Sequence, residues 1–321
     1  MKLTRILAVL FTFAFAAPAA AQTWPSKPVT IIVGYTAGTA IDIVARYLAD
    51  HLRERTGQPF VVELRPGVFG NLAAQYVARA KPDGATILLT ANATHAANIH
   101  LFKQLGFDPV KDFTPVTTVL SLGFVLVVNP AVVPVNSAAE LIDYIKLRPG
   151  KMSYGAGTAT GRIATELYLQ LAGGLDVTSV PYKGSSQAIN DVLGGQIHFL
   201  FADAVSGMQQ ARGGKLRALA VTNAKRVSCA PEVPTMAEAG LPGYDLTSWF
   251  ALFLPANTPV NIAQKLADLS NALWTTEKGH EFLRNLCLDP YPGSPESLAR
   301  LVESDTVKWG RIIKRARIEA Q

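Results

Sequence analysis

Short apolar runs alternate with segments of helical periodicity along most of the chain. Residues 29–33 read as a buried strand ended by Gly34. Residues 42–53 follow with Ile43, Val44, Tyr47, Leu48 and Leu52 at helical spacing, and Gly57 closes that helix. Residues 60–62 start a second strand, 71–80 are helical, Pro82-Asp83-Gly84 is a turn, and 87–89 are a strand again. This β-α-β-α-β order predicts a parallel sheet wrapped by helices.

A second unit of the same kind follows. Residues 125–128 form an apolar run ending at Asn129-Pro130. Ser137 is placed to N-cap a helix through Leu147, with Glu140 completing a capping box and Pro149-Gly150 stopping it. Strands are predicted at 152–154, 197–201 and 216–221, with helices at 162–171, 186–193 and 205–212. Residues 247–254 form an apolar strand closed by Pro255. Two amphipathic helices end the chain, at 261–274 with Ile262, Leu266, Leu269 and Leu273, and at 296–315 with Leu298, Leu301, Val302, Val307, Trp309 and Ile312. No polar linker separates the two α/β units, so strands near 115–128 and 247–254 are the candidates for crossing between lobes. The division expected is 22–124 plus 246–321 for one lobe and 125–245 for the other. A cleft then lies between them. Open α/β sheets take ligands at the carboxyl ends of their strands, which singles out the loops at 34–42, 64–71, 90–95, 155–162, 182–185 and 202–206.

Composition narrows the class. The chain has 321 residues, 49% hydrophobic and 17% charged, which is too apolar for disorder and ample for packed cores. Its 2 cysteines rule out a disulfide-built scaffold and a cysteine-only zinc site. The formal charge of +6 comes without any basic run, so nucleic acid is not an expected partner. Lys2 and Arg5, the apolar residues 6–17 and the small residues Ala19-Ala20-Ala21 make the three parts of a cleavable export signal over residues 1–21. Its apolar core is too short to span a bilayer, and no later segment is long enough. Export makes ATP and NAD scarce and nutrient binding the favoured class. The compartment is oxidising, so Cys229 and Cys287 either pair or stand as two separate buried thiols; the sequence leaves both open.

Two loops carry the candidate chemistry. Gly34, Tyr35, Thr36, Ala37, Gly38, Thr39, Ala40, Ile41 and Asp42 leave a strand and open a helix, the setting in which backbone N–H groups bind an anion. An ordinary βα turn with Asp42 in the first helical turn is the plainer reading. Gly155, Ala156, Gly157, Thr158, Ala159, Thr160, Gly161 and Arg162 repeat the arrangement, with Arg162 able to grip a carboxylate in two places or to stand as a surface arginine. The glycines at 155, 157 and 161 with Asp176 downstream resemble a dinucleotide fingerprint, but the spacing is wrong by one residue. His51, His95, His100, His198 and His280 are dispersed, so neither a metal nor a cofactor is expected. No nucleophile elbow, phosphate loop or zincin motif occurs, and no catalytic residue is assigned. Phe69, Asn92, Thr94, Tyr182 and Asp203 complete the candidate ligand contacts, and Asp42 with Asp203 form a possible acid pair across the cleft.

A series of short motifs then points to a family. Trp24-Pro25-Ser26-Lys27-Pro28-Val29, Arg65-Pro66-Gly67 with Gly70-Asn71, Lys81-Pro82-Asp83-Gly84 and Asp108-Pro109-Val110-Lys111-Asp112-Phe113 come first. Val180-Pro181-Tyr182-Lys183-Gly184-Ser185, Leu193-Gly194-Gly195-Gln196, residues 214–222, Val233-Pro234-Thr235 and residues 238–244 follow in order. With these the chain resembles the Bug, TctC-like, extracytoplasmic solute receptors of tripartite tricarboxylate transporters, from Trp24 to about Ile318. The resemblance implies a two-lobed α/β periplasmic-binding-protein fold with a hinge and an interlobe cleft. It implies a monomeric receptor that hands a small organic carboxylate to membrane permease subunits. In that family the ligand's carboxyl groups lie between the first βα loop and the glycine-rich loop of the other lobe, here 35–42 and 155–162, and Asp42 matches an Asp that contacts the ligand's distinguishing group. The departures fall around the pocket. Thr36-Ala37 replaces two prolines, Thr39 a glycine, and Val68-Phe69 small residues; the second-lobe loop is shortened, and Arg162 stands near a usual His. Tyr35 and Phe69 point to a flatter, more apolar or aromatic acid, and Arg162 to an essential carboxylate. A ligand-presenting sensor or an enzyme acting on an organic acid is the alternative.

Overall fold

The computed structural model describes residues 24–182, 184–315 and 318–320; the expected export signal lies outside the described residues. The chain runs through β1 (Val29–Val33), α1 (Ala40–Thr56), β2 (Phe60–Leu64), α2 (Asn71–Ala78) and β3 (Thr86–Ala91). A π-type turn over Ala93–Ala97 leads into the short α3 (Asn98–Leu101), and β4 (Phe113–Leu122) follows. The second unit comprises β5 (Phe124–Val128), α4 (Ala138–Lys146), β6 (Ser153–Ala156), α5 (Ala159–Leu171), β7 (Thr178–Pro181), α6 (Ser185–Leu193), β8 (Phe199–Asp203), α7 (Ala204–Arg212) and β9 (Arg217–Val221). The chain then returns through β10 (Ser248–Pro255), α8 (Val260–Trp274), α9 (Glu277–Asn285), β11 (Asp289–Pro290) and α10 (Pro295–Arg315).

Local sequence explains the helix ends. Gly57 stops α1 in the left-handed region, φ 72°, with its N–H donating to the Arg53 carbonyl. At the start of α4 the Ser137 hydroxyl accepts from the Glu140 N–H, while the Glu140 carboxylate reaches back to the Asn136 N–H, one residue before the cap. Thr158 caps α5 by accepting from the Gly161 N–H.

The strands form two sheets, in the orders β11-β4-β10-β3-β1-β2 and β7-β6-β8-β5-β9. The expectation of a parallel sheet holds for β1, β2 and β3, but the first sheet is mixed, because β10 runs antiparallel to both β3 and β4. The reason is topological: the chain leaves this sheet at the end of β4 and re-enters at the same end, so the returning strand must run the other way. Alternation assigns the faces. Ile31, Val33, Phe250 and Leu252 pack with Leu48, Leu266 and Trp274 of α1 and α8. Ile32, Leu88, Trp249 and Phe253 pack on the other face with Val77, Leu298 and Val302 of α2 and α10. The second sheet is filled in the same way, with Leu126 and Val128 facing α4 and α5 and with Val125 and Val127 facing α6 and α7.

Two crossings of the chain between the sheets lie side by side. Gly123 alone separates β4 from β5, and a side chain there would put its Cβ 1.4 Å from Asn223 Oδ1. Thr222 fastens the two crossings together. Its N–H donates to the Phe124 carbonyl, its hydroxyl accepts from the Phe124 N–H and donates to the Leu246 carbonyl, and its own carbonyl accepts from the Leu246 N–H. Cys229 and Cys287 are bonded, with Cα atoms 5.1 Å apart. This bond links the segment after β9 to the segment before β11, hence chain belonging to the second sheet to chain belonging to the first.

Candidate functional site

A cleft of about 520 Å³ opens between the sheets at the carboxyl ends of β1, β3, β6 and β8. A larger surface depression, about 640 Å³, is lined by Lys27, Ala85 and Thr86. These residues lie at the amino ends of β1 and β3, away from where an open α/β sheet presents its loops.

Three helix starts, with the turns that lead into them, contribute to the cleft wall: Thr36, Thr39, Ala40 and Ile41 at α1, Thr158, Ala159 and Thr160 at α5, and Gly184 and Ser185 at α6. First-turn N–H groups have no partner inside their helix, so these ends offer donors and partial positive charge to an anion. Two glycine contacts bring the turns together. A Cβ at Gly157 would lie 2.9 Å from Ser185 Cα, so the α5 and α6 turns approach only because that position is bare. A Cβ at Gly34 would lie 2.6 Å from Gly70 Cα, which places the segment Pro66 to Gly70 directly over the start of the α1 turn.

That segment is strained. Val68 and Phe69 both lie in the left-handed region, with φ of 47° and 54°. Asn98 holds it, its amide donating to the Phe69 carbonyl at 3.2 Å and to Asn71 Oδ1 at 2.6 Å. Val68 and Phe69 remain half exposed on the cleft wall. Leu122 and Phe124 on one crossing and Phe250 on the other add apolar surface at the hinge end. The cleft thus combines a few donor-rich turns with an apolar interior, the usual constitution of a small-molecule site.

Among the described lining residues, Asp203 is the sole carboxylate, and no Lys, Arg or His joins it. Asp203 N-caps α7, where its Oδ1 accepts from the Ser206 N–H and hydroxyl at 3.0 Å each. Tyr35 is pushed up to about 12, chiefly by burial, while Thr94 beside its hydroxyl pulls it back. Tyr182 is also pushed up to about 12, by desolvation first and then by the Asp191 carboxylate, which accepts from its hydroxyl at 2.6 Å. Both phenols stay protonated and serve as neutral wall groups.

Of the residues singled out from the sequence, Tyr35, Thr36, Thr39, Phe69, Gly157, Thr158, Ala159, Thr160, Tyr182 and Asp203 line the cleft. Ala37, Gly38, Asp42, Asn92, Thr94, Gly155 and Arg162 do not. Asp42 is buried and folds back on its own turn, with Oδ2 accepting from the Gly38 N–H at 2.9 Å and Oδ1 from Arg46 Nε at 2.8 Å. Asn92 and Thr94 sit fully buried behind the wall, Thr94 on the Thr90 hydroxyl and Asn92 accepting from the Ser248 hydroxyl. Arg162 lines a small depression with Phe102, Ile163, Ile318 and Glu319 that adjoins the cleft through the shared residues Phe69 and Ala159. Sequence reasoning missed Leu122, Phe124, Ser248 and Phe250, which lie outside the loops it singled out. The apolar ones read as ordinary strand core, and only their position beside the crossing brings them to the cleft.

Comparison with known proteins agrees with this architecture. Residues 44–318 match the tripartite tricarboxylate transporter family receptor, TctC. The fold is that of a Rhodopseudomonas palustris protein, Rpa4515, solved with adipate (TM-score 0.88, 37% identity, 93% of this chain and 100% of that one). It is also that of the periplasmic binding protein BugD (TM-score 0.84, 31% identity, covering 93% and 100%). MatC of the same Rhodopseudomonas species, solved with bound malate, has TM-score 0.82 and 29% identity, covering 90% and 100%. The expected two-lobed periplasmic-binding-protein fold is therefore the fold this chain has. With a cleft built from helix N-termini between two such lobes, and a match over nearly all of its described length, the chain belongs to the TctC family of periplasmic solute receptors.

Proposed function

We propose that this protein captures a small organic carboxylate between its two lobes in the periplasm and delivers it to the membrane permease subunits of a tripartite tricarboxylate-type transporter. The observation that carries the reading is the convergence of the α1, α5 and α6 N-termini on one cleft. The adipate and malate held by Rpa4515 and MatC support carboxylates as the ligand class. The lobes are 22–124 with 246–321, and 125–245, and the protein acts as a monomer exported by residues 1–21.

The ligand's carboxylate accepts from backbone N–H groups of the α1 turn on one lobe and of the α5 and α6 turns on the other. A ligand bridging both sets favours the closed arrangement over the open one by the contacts that only closure completes. Permease subunits then read the closed form. Leu122, Phe124, Phe250, Val68 and Phe69 take the ligand's carbon skeleton, which selects an acid with an apolar or aromatic body. No step of this cycle makes or breaks a covalent bond.

A thermal-shift screen of ligand-stripped protein against mono-, di-, tri- and aromatic carboxylates, with sugars and neutral amides as controls, tests the proposal. An acid at a hundred times its Kd stabilises by about 2.7 kcal/mol, which is readily seen. Stabilisation by neutral compounds alone would refute the carboxylate reading.

A further inference from the structure

Resting on the carboxylate-receptor reading, we infer that Asp203 sets ligand choice by accepting a hydrogen bond from a donor group on the ligand, a hydroxyl or an ammonium. The cleft therefore takes a hydroxy- or amino-substituted acid in preference to the same acid without that group.

A receptor for anions gains nothing from a carboxylate on its wall, because the charge repels the ligand and loses water when the cleft closes. Capping does not explain the choice of residue, since Ser, Thr or Asn caps a helix as well and carries no charge. The cap uses Oδ1 alone; Oδ2 has no hydrogen-bond partner among the described residues. Asp203 stands opposite Phe124 in the β5–β8 ladder, so its neighbour on the cleft wall is an aromatic ring that offers no hydrogen-bonding group. Closure over an acid would strand Oδ2 beside apolar surface unless the ligand brings a donor to it.

Position assigns the two ends of the ligand. The donor-rich turns of α1, α5 and α6 hold the carboxylate, and Asp203, at the end of β8 beside the hinge, meets the substituent. A bond to an ionised acceptor in a water-poor cleft is among the stronger hydrogen bonds, and a site built to make it rejects the analogue that lacks it.

The test is calorimetric titration of the whole protein with matched pairs of acids, each with and without one hydroxyl or one amino group: malate and succinate, 4-hydroxyphenylacetate and phenylacetate, phenylalanine and 3-phenylpropionate. The substituted member of at least one pair is expected to bind about tenfold tighter or more, equivalent to about 1.4 kcal/mol. Asp203→Ser keeps an N-cap and withdraws the ligand-facing oxygen, so the substituted and unsubstituted acids should then bind within about threefold of each other. Asp203→Asn separates the sources, because an amide nitrogen can still donate to a hydroxyl but not to an ammonium. Acids that bind with no preference in the native protein, or a preference that Asp203→Ser leaves intact, would overturn the inference while leaving the receptor reading in place. If no acid in any pair binds and neutral compounds alone stabilise the protein, the receptor reading falls and this inference falls with it.

Discussion

His95 offers a sharp check on the packing of the first lobe. It lies in the π-type turn after β3, 1% exposed, its ring stacked on Phe253 at 3.8 Å and edge-on to Phe113 at 4.7 Å. Neither ring nitrogen has a hydrogen-bond partner among the described residues. Burial alone pushes the imidazole down from 6.5 to about 3. The folded state therefore resists a proton that the unfolded chain takes up readily. Stability is fully present above about pH 6.5 and drains as pH falls toward 3. By linkage, lowering the pH from about 7.5 to about 5 costs roughly 2 kcal/mol through this one residue. Urea unfolding at the two pH values, at constant ionic strength, measures the loss. His51 and His198 are also lowered by desolvation and add to the slope in the same direction. The carboxylates held below their usual range, such as Asp83, Asp108 and Asp245, lose their contribution only at lower pH and leave this window clean. His95→Phe keeps an aromatic ring between Phe253 and Phe113 and has no proton to gain. Its pH 7.5-to-5 loss should be smaller than the native protein's by about 2 kcal/mol. Equal losses in the two proteins would show that His95 is not held neutral by burial.

Two further predictions concern the joint between the lobes. Replacing both Cys229 and Cys287 by Ser opens a loop of sequence separation 58 and should lower stability by about 4 kcal/mol on loop-closure entropy; a change below about 1 kcal/mol in urea unfolding would mean the bond adds little constraint. Gly123→Ala drives a Cβ to 1.4 Å from Asn223 Oδ1 and should cost about 1–3 kcal/mol, with Asn223→Gly restoring much of it; a silent Gly123→Ala in thermal unfolding would contradict the close crossing.

Much of the fold was legible because its signals are local. Gly57, the Ser137 and Glu140 pair, and the spacing of Leu48 and Leu52 each specify their element without help from distant chain. The elements that escaped lack such signals. β7 (Thr178–Pro181) is largely exposed and carries one large apolar residue, Val180, so no alternation marks it. α9 holds Gly279 and His280 in its first turns and buries only Gly279 and Leu283. The turn over Ala93–Ala97 read as a loop because its alanines favour no single period, and packing of Ala93, Ala96 and Ala97 against α10, in one core with Trp309 and Ile313, decides it. Mixed strand direction follows from where the chain re-enters the sheet, a long-range property that no window of sequence contains.

The candidate site divides along the same line. Loops at strand carboxyl ends could be named from topology alone, and they supply all the described lining residues of the cleft except Leu122, Phe124, Ser248 and Phe250. What could not be read is which way a side chain turns at a helix start. Asp42 and Asp203 look alike in sequence, each an acid near the start of a helix that follows a strand. Asp42 sits three residues past the cap residue Thr39, close enough to bend back onto the Gly38 N–H and forward onto Arg46, so both its oxygens are spent within its own turn. Asp203 is the cap residue itself, and capping occupies one oxygen. A difference of three positions relative to the helix start thus decides which acid is consumed by local structure and which keeps one oxygen outside its helix cap.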